Sequence, residues 1–147
     1  MNLFETSAAQ EVLSRLDKIS ATTPANWGKM NAAQMMAHCQ AGFKVYFGEL
    51  KMKRGIVGLL FGKMAKKKLF SPQPWARNLP TAPQFKIAEE KEFDLEKQKL
   101  VSYINRFATE GYTITSTMHP FFGKLSSQEW ATLNYKHLDH HLKQFGV

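Results

Sequence analysis

LSSQEWATLNYKHLDHHLKQFG, residues 125–146, carries its own start signal and three of the chain's five histidines. Ser126 and Glu129 match S-x-x-E, the capping box in which hydroxyl and carboxylate each satisfy an orphan backbone N–H, and Leu125 with Trp130 has the spacing of a hydrophobic staple. With His137 at zero and about 100° per residue, His141 falls at roughly 40°, Trp130 at roughly 20°, Asn134 at roughly 60° and Leu138 at roughly 100°. That arc is mainly apolar, so His137 and His141 face inward as an i, i+4 pair. His140, at roughly 300° on the same scale, borders the charged side formed by Lys136, Lys143 and Glu129. Two imidazoles one turn apart can hold one divalent ion. They can equally fill a core and hydrogen-bond to neighbours.

Three further segments have helical periodicity, and none shows sustained strand alternation. Residues 3–19 place Phe4, Ala8, Val12, Leu16 and Ile19 on one stripe. A second helix opens at MNAAQMMAHC, with Asn31 as cap, Gln34 as its capping-box partner and Met30 with Met35 as staple, and is expected to reach about Leu50. The third begins near Asp94, carries Leu100, Ile104 and Phe107, and stops at Gly111. Between the second and third lie about forty residues, too many for a plain loop. Their first half, KMKRGIVGLLFGKMAKKKLF, reads as partly helical, and SPQPWARNLPTAP as an extended strap. Residues 1–147 therefore read as one all-α domain, an up-down four-helix bundle with a long crossover between helices 2 and 3.

The net charge of +8 is local. Lys51, Lys53, Arg54, Lys63, Lys66, Lys67 and Lys68 follow one another with no acid between them, while residues 1–50 balance four basic against four acidic. Two readings apply to this segment. Ile56, Leu59, Leu60 and Met64 dock on the bundle while the lysines stay solvated, which is the expectation adopted here. Alternatively the segment lies on an anionic membrane or forms a lid that draws in an anionic substrate. Nucleic-acid binding by one such patch would be nonspecific and salt-sensitive, and no nucleic-acid partner is expected. No apolar run approaches the roughly 20 residues of a spanning helix. The N-terminal residues lack a signal-peptide layout, and Cys39 is the only cysteine, so a cytoplasmic protein without an intramolecular disulfide is expected.

His38 sits at the edge of the second helix's apolar arc and supplies a third imidazole. Three histidines from two helices would leave open positions on an ion, as catalytic sites do. Cys39, about 100° around the helix, should point away as a small buried hydrophobe. Gln34 and Asn134 lie one turn before His38 and His137, where each could orient a ligand or serve in capping and interior hydrogen bonding. His119, before Pro120 in HPFFG, could transfer a proton or pack against Phe121 and Phe122. Tyr46, Tyr103 and Tyr135 could line a cavity, although aromatics at helical spacing usually form core. Inward paired carboxylates, a phosphate loop and a serine-triad context are lacking.

MNAAQMMAHC after Trp27, together with the terminal HLDHHLKQ, resembles the DinB/YfiT-like superfamily of metal-dependent four-helix bundles. The resemblance covers most of the chain. It implies that His38, His137 and His141 ligate nickel, zinc or a similar ion (manganese or iron among them), and that Gln144 is the polar residue following the second ligand of the helical pair. It further implies that the ion activates a low-molecular-weight thiol toward a small-molecule substrate, and that a homodimer is common. The long basic crossover departs from that pattern. The alternative is a non-catalytic module that binds a small ligand or a partner, with core histidines and no metal.

Overall fold

Two capping boxes anchor the helices that carry the histidine triad. In the computed structural model, which describes residues 1–53 and 55–147, Asn31 accepts from Gln34 N–H and the Gln34 side chain accepts from Asn31 N–H. Ser126 and Glu129 exchange the same pair of bonds. The helices so started are α2 (Ala32–Tyr46) and α5 (Ser127–Gln144), joined in chain order by α1 (Thr6–Asp17), α3 (Ile56–Leu69) and α4 (Phe93–Glu110). A β-hairpin, β1 (Ser116–His119) and β2 (Gly123–Ser126), precedes α5.

The expected all-α four-helix bundle is therefore corrected: the described residues form five α-helices and a two-stranded antiparallel sheet. The strands escaped the reading because each has only four residues, and only β2 alternates in burial, with Gly123 and Leu125 inside. A four-residue alternation is too short to stand out from a loop. The crossover contributes the extra helix. Helix ends also shift. Gly48, at φ 74°, turns the chain after Tyr46 rather than near Leu50. Glu92, not Asp94, caps α4, its carboxylate accepting from Asp94 and Leu95 N–H.

The core is built from inward stripes of α1, α2, α4 and α5. Val12 and Leu16 from α1, Met35, Met36 and Phe43 from α2, Leu100, Ile104 and Phe107 from α4, and Trp130, Leu138 and Leu142 from α5 form one buried cluster, with α1 lying against α4 and α5. α2 and α4 form the most extensive helix pair. Tyr46 packs edge-on to Trp130 at 5.6 Å between ring centres and sends its hydroxyl to the Gly111 and Ile114 carbonyls. The Tyr46 hydroxyl thus finds partners while its ring fills the interior, whereas the buried Trp130 Nε1–H has none among the described residues.

α3 does not dock as its sequence suggested. Ile56, Leu59, Leu60 and Met64 are 57–74% exposed, and the buried residues of α3 are Gly58 and Gly62. Glycine permits a closer approach than any side chain: a Cβ on Gly58 would lie 2.9 Å from Phe121 O. The helix seats backbone against backbone at the hairpin tip, and its large side chains are turned outward. Arg54, counted in the basic segment, lies outside the described residues. Among the described residues no helix is long and apolar enough to cross a membrane.

Residues 71–92 return as a strap pinned at several points. Trp75 Nε1–H donates to Leu69 O at 2.9 Å, and Lys136 Nζ donates to the Ser71 and Gln73 carbonyls. Gln34 Nε2 reaches Glu89 O at 3.2 Å. These bonds hold Trp75 and Phe85 over the seam between α2 and α5.

Candidate metal centre

His38 on α2 and His137 and His141 on α5 meet across that seam. His38 Nε2 lies 3.0 Å from His137 Nε2, and His141 Nε2 lies 3.1 Å from the same atom. Their ligand atoms all fall within 4.8 Å of one another. For comparison, nitrogens about 2.0–2.1 Å from a tetrahedral ion sit roughly 3.3 Å apart. His38 and His141 are buried and His137 is partly accessible.

The outer ring nitrogens decide the tautomers. His38 Nδ1 lies 2.8 Å from Phe85 O, a pure acceptor, so Nδ1 carries the proton. His141 Nδ1 lies 2.7 Å from Gln144 Oε1. The amide orientation is set by Gln144 Nε2, which donates to Trp27 O at 2.6 Å. His141 Nδ1 is therefore protonated too. Both rings turn Nε2 lone pairs toward His137, which has at most one Nε2–H to give when neutral. One of the two short contacts then sets lone pair against lone pair. Extra protons do not relieve it, because burial pushes His141 down to about 3 and lowers His38 and His137 as well.

Aromatic groups wall this cluster. The Trp75 ring centre is 5.9 Å from those of His137 and His140, and Trp27 lies 5.9 Å from His140. Arg77 stacks its guanidinium 4.5 Å from the Trp27 ring centre. Gly28, at φ 82°, completes the support: a Cβ there would lie 2.5 Å from Gln144 Nε2. Side chains rarely adopt that backbone region, so both conformation and space call for glycine.

A family model described as a protein of unknown function (DUF1569) matches residues 2–146. The chain belongs to the DUF1569 family. That match corrects the resemblance to the DinB/YfiT-like superfamily, for which no family model matches. An H-x-x-x-H pair opposite a third histidine needs only two helices sharing an apolar face, so those residues do not separate one helical family from another. No curated protein and no solved structure matches the chain.

In this DUF1569 protein the remaining sequence candidates divide. Gln144 touches His141 directly. Asn134 is buried between α2 and α5, its Oδ1 2.6 Å from where a Gly42 Cβ would stand. Gln34 is spent on the capping box and on strap carbonyls. Tyr46 is core, Tyr103 bonds Glu49, and Tyr135 bonds Glu11. Cys39 is buried against Met35, with its thiol pushed up by desolvation, as expected of a small hydrophobe. The Phe85 carbonyl, Trp75 and Gly28 were missed. A backbone acceptor leaves no residue-type signal, and the other two act through contacts distant in sequence.

His119 closes the hairpin. Its Nδ1 accepts from both Phe121 and Phe122 N–H at 3.1 Å, and its ring stacks on Phe122 at 4.3 Å. Only Nε2 remains to donate. Burial lowers its pKa to about 4. Since the folded value lies below the free one, the unfolded chain takes the proton first. Stability is thus fully present above about pH 6.5 and is lost as pH falls toward the folded value, by roughly 1–2 kcal/mol from this residue at pH 5. Urea titrations at pH 7 and 5 should show a smaller acid loss in His119→Gln than in the parent. Equal losses would mean that His119 is not held neutral in the hairpin.

Proposed function

We propose that the histidine triad binds a divalent ion and that the protein is a metal-dependent enzyme acting on a small molecule. One observation carries this reading: the Nε2 atoms of His38 and His141 both lie within hydrogen-bond distance of His137 Nε2 while their own Nδ1 protons are committed elsewhere. A cation at that point would satisfy all three lone pairs. An imidazole donor set suits nickel, zinc or iron, with nickel or zinc proposed first and manganese less matched to it.

An ion held there would supply Lewis-acid activation of a small thiol or water, the chemistry needed for transfer to an electrophile or for hydrolysis. The protein's own groups orient and shield. Phe85 O and Gln144 Oε1 hold two rings in the ligating tautomer, and Trp75 with Phe85 limits water at the seam. The Nε2–H of neutral His119 is a proposed hydrogen-bond donor, and Asn134 a proposed orienting amide.

The test is elemental analysis of tag-free protein purified without chelator or a nickel column. A near-stoichiometric divalent ion is expected, bound roughly 10–100-fold more weakly in Gln144→Ala because His141 loses its Nδ1 partner. Cobalt-loaded protein should gain thiolate-to-metal absorption with a small thiol; an unchanged spectrum would leave water as the activated group. No ion after reconstitution would overturn the proposal in favour of core histidines in a non-catalytic binding module.

A further inference from the structure

The same nine-residue stretch that fails to dock holds six exposed apolar side chains: Ile56, Val57, Leu59, Leu60, Phe61 and Met64, each half exposed or more. Seating α3 on Gly58 and Gly62 leaves them no interior to enter. Taking Gly58 as zero, they spread from roughly 100° at Leu59 to roughly 300° at Phe61. Such an arc covers more than half the helix circumference. A rigid groove would have to enclose α3 to meet it, whereas a fluid interface conforms to a protruding helix without any matched shape.

Charge is arranged around this apolar tip. Lys51 and Lys53 precede it, Lys63 interrupts it before Met64, and Lys67 and Lys68 follow, all exposed. Only Lys66 of the described lysines in this stretch makes a salt bridge, to Glu129 at 2.6 Å. No Asp or Glu occurs between Leu50 and Ala88. The apolar residues fill the first turns of α3 and Lys67 and Lys68 its last turn, so a tip that enters an interface leaves those ammonium groups at headgroup depth, while Lys63, between Phe61 and Met64, reaches the same level along its own aliphatic stem. A second copy of the chain would bring the same uncompensated lysines face to face, which disfavours self-association through this surface.

We infer that α3 is a peripheral docking element for anionic bilayers, inserting Ile56, Leu60, Phe61 and Met64 between lipid headgroups while Lys63, Lys67 and Lys68 bind the surface charge. No span of the membrane is involved. The inference is independent of the histidine triad, and chelator should leave docking unchanged.

The experiment is cosedimentation of the full-length protein with phosphatidylcholine vesicles, with and without phosphatidylserine. Binding is expected on the mixed vesicles only, and it should weaken with salt. Each lysine near an anionic leaflet strengthens partitioning about 5-fold, so Lys63→Gln, Lys67→Gln and Lys68→Gln together should lower it roughly 100-fold. Leu60→Ser with Met64→Ser should lower it about 10-fold or more. Removing Lys18, Lys29 and Lys143 instead, at equal charge cost, should have little effect. All these residues are outside the core, and far-ultraviolet circular dichroism should be unchanged. Binding that is equal on neutral and anionic vesicles, or equal in the α3 and control variants, would overturn the inference. So would self-association abolished by Leu60→Ser and Met64→Ser without vesicle binding, or capture of acidic proteins in its place.

Discussion

Replacing His137 by alanine is expected to abolish stoichiometric ion binding, with affinity falling on the order of 1,000-fold as three ligands become two. His137 is the hub of the triad, the one ring whose Nε2 lies within 3.1 Å of both others. Stability separates the two readings of the cluster. With ion at about 100 times its Kd, the parent should gain roughly 2.7 kcal/mol, and the variant nothing. Without ion, the substitution should cost less than about 1–2 kcal/mol, since losing the ring also removes a lone-pair repulsion. Thermal melts of both proteins with and without zinc or nickel make the comparison. If the variant is severely destabilised and neither protein responds to ions, His137 is a core histidine and the metal proposal fails.

Phe107→Ala is expected to cost about 3–5 kcal/mol, as large aromatic truncations in rigid cores do. Its ring stacks on Phe4 at 5.1 Å and meets Phe43 and Tyr46 edge-on at 5.5 and 4.9 Å. These neighbours come from the chain before α1 and from α2, and Gly111 closes the side, where an added Cβ would sit 3.3 Å from the Phe107 ring. A cavity so bounded cannot collapse by moving one element. Domains are typically stable by about 5–15 kcal/mol, so this loss should shift the urea midpoint strongly. Phe107→Leu should cost less, roughly 1.5 kcal/mol. Ion stoichiometry should survive in the folded fraction, because Phe43 and Tyr46 lie one to two turns along α2 from His38. A shift below about 1 kcal/mol would show that the core repacks more freely than this geometry allows.

How much of this was legible in the chain depends on the range of the interaction involved. Capping boxes are local, so Asn31 with Gln34 and Ser126 with Glu129 could be read from spacing and are formed as read. The inward face of α5 was equally legible, because helical geometry alone places His137 and His141 on the side of Trp130 and Leu138. α3 was misread for a physical reason: periodicity shows which residues are apolar, not whether another surface is there to receive them. The hairpin was missed because four-residue strands acquire their identity from pairing, Thr117 with Leu125 and Met118 with Lys124.

The sequence by itself determined the helix starts, the core stripes, the candidate histidines and the concentration of positive charge in one segment, since each follows from residues within a few turns of one another. Tertiary structure alone decided that His38 reaches the α5 pair, that Phe85 O turns the His38 Nε2 lone pair inward, and that glycines rather than leucines seat α3. Those outcomes rest on contacts between segments 47 to 99 residues apart, or on backbone groups common to every residue, and neither leaves a mark in local sequence pattern.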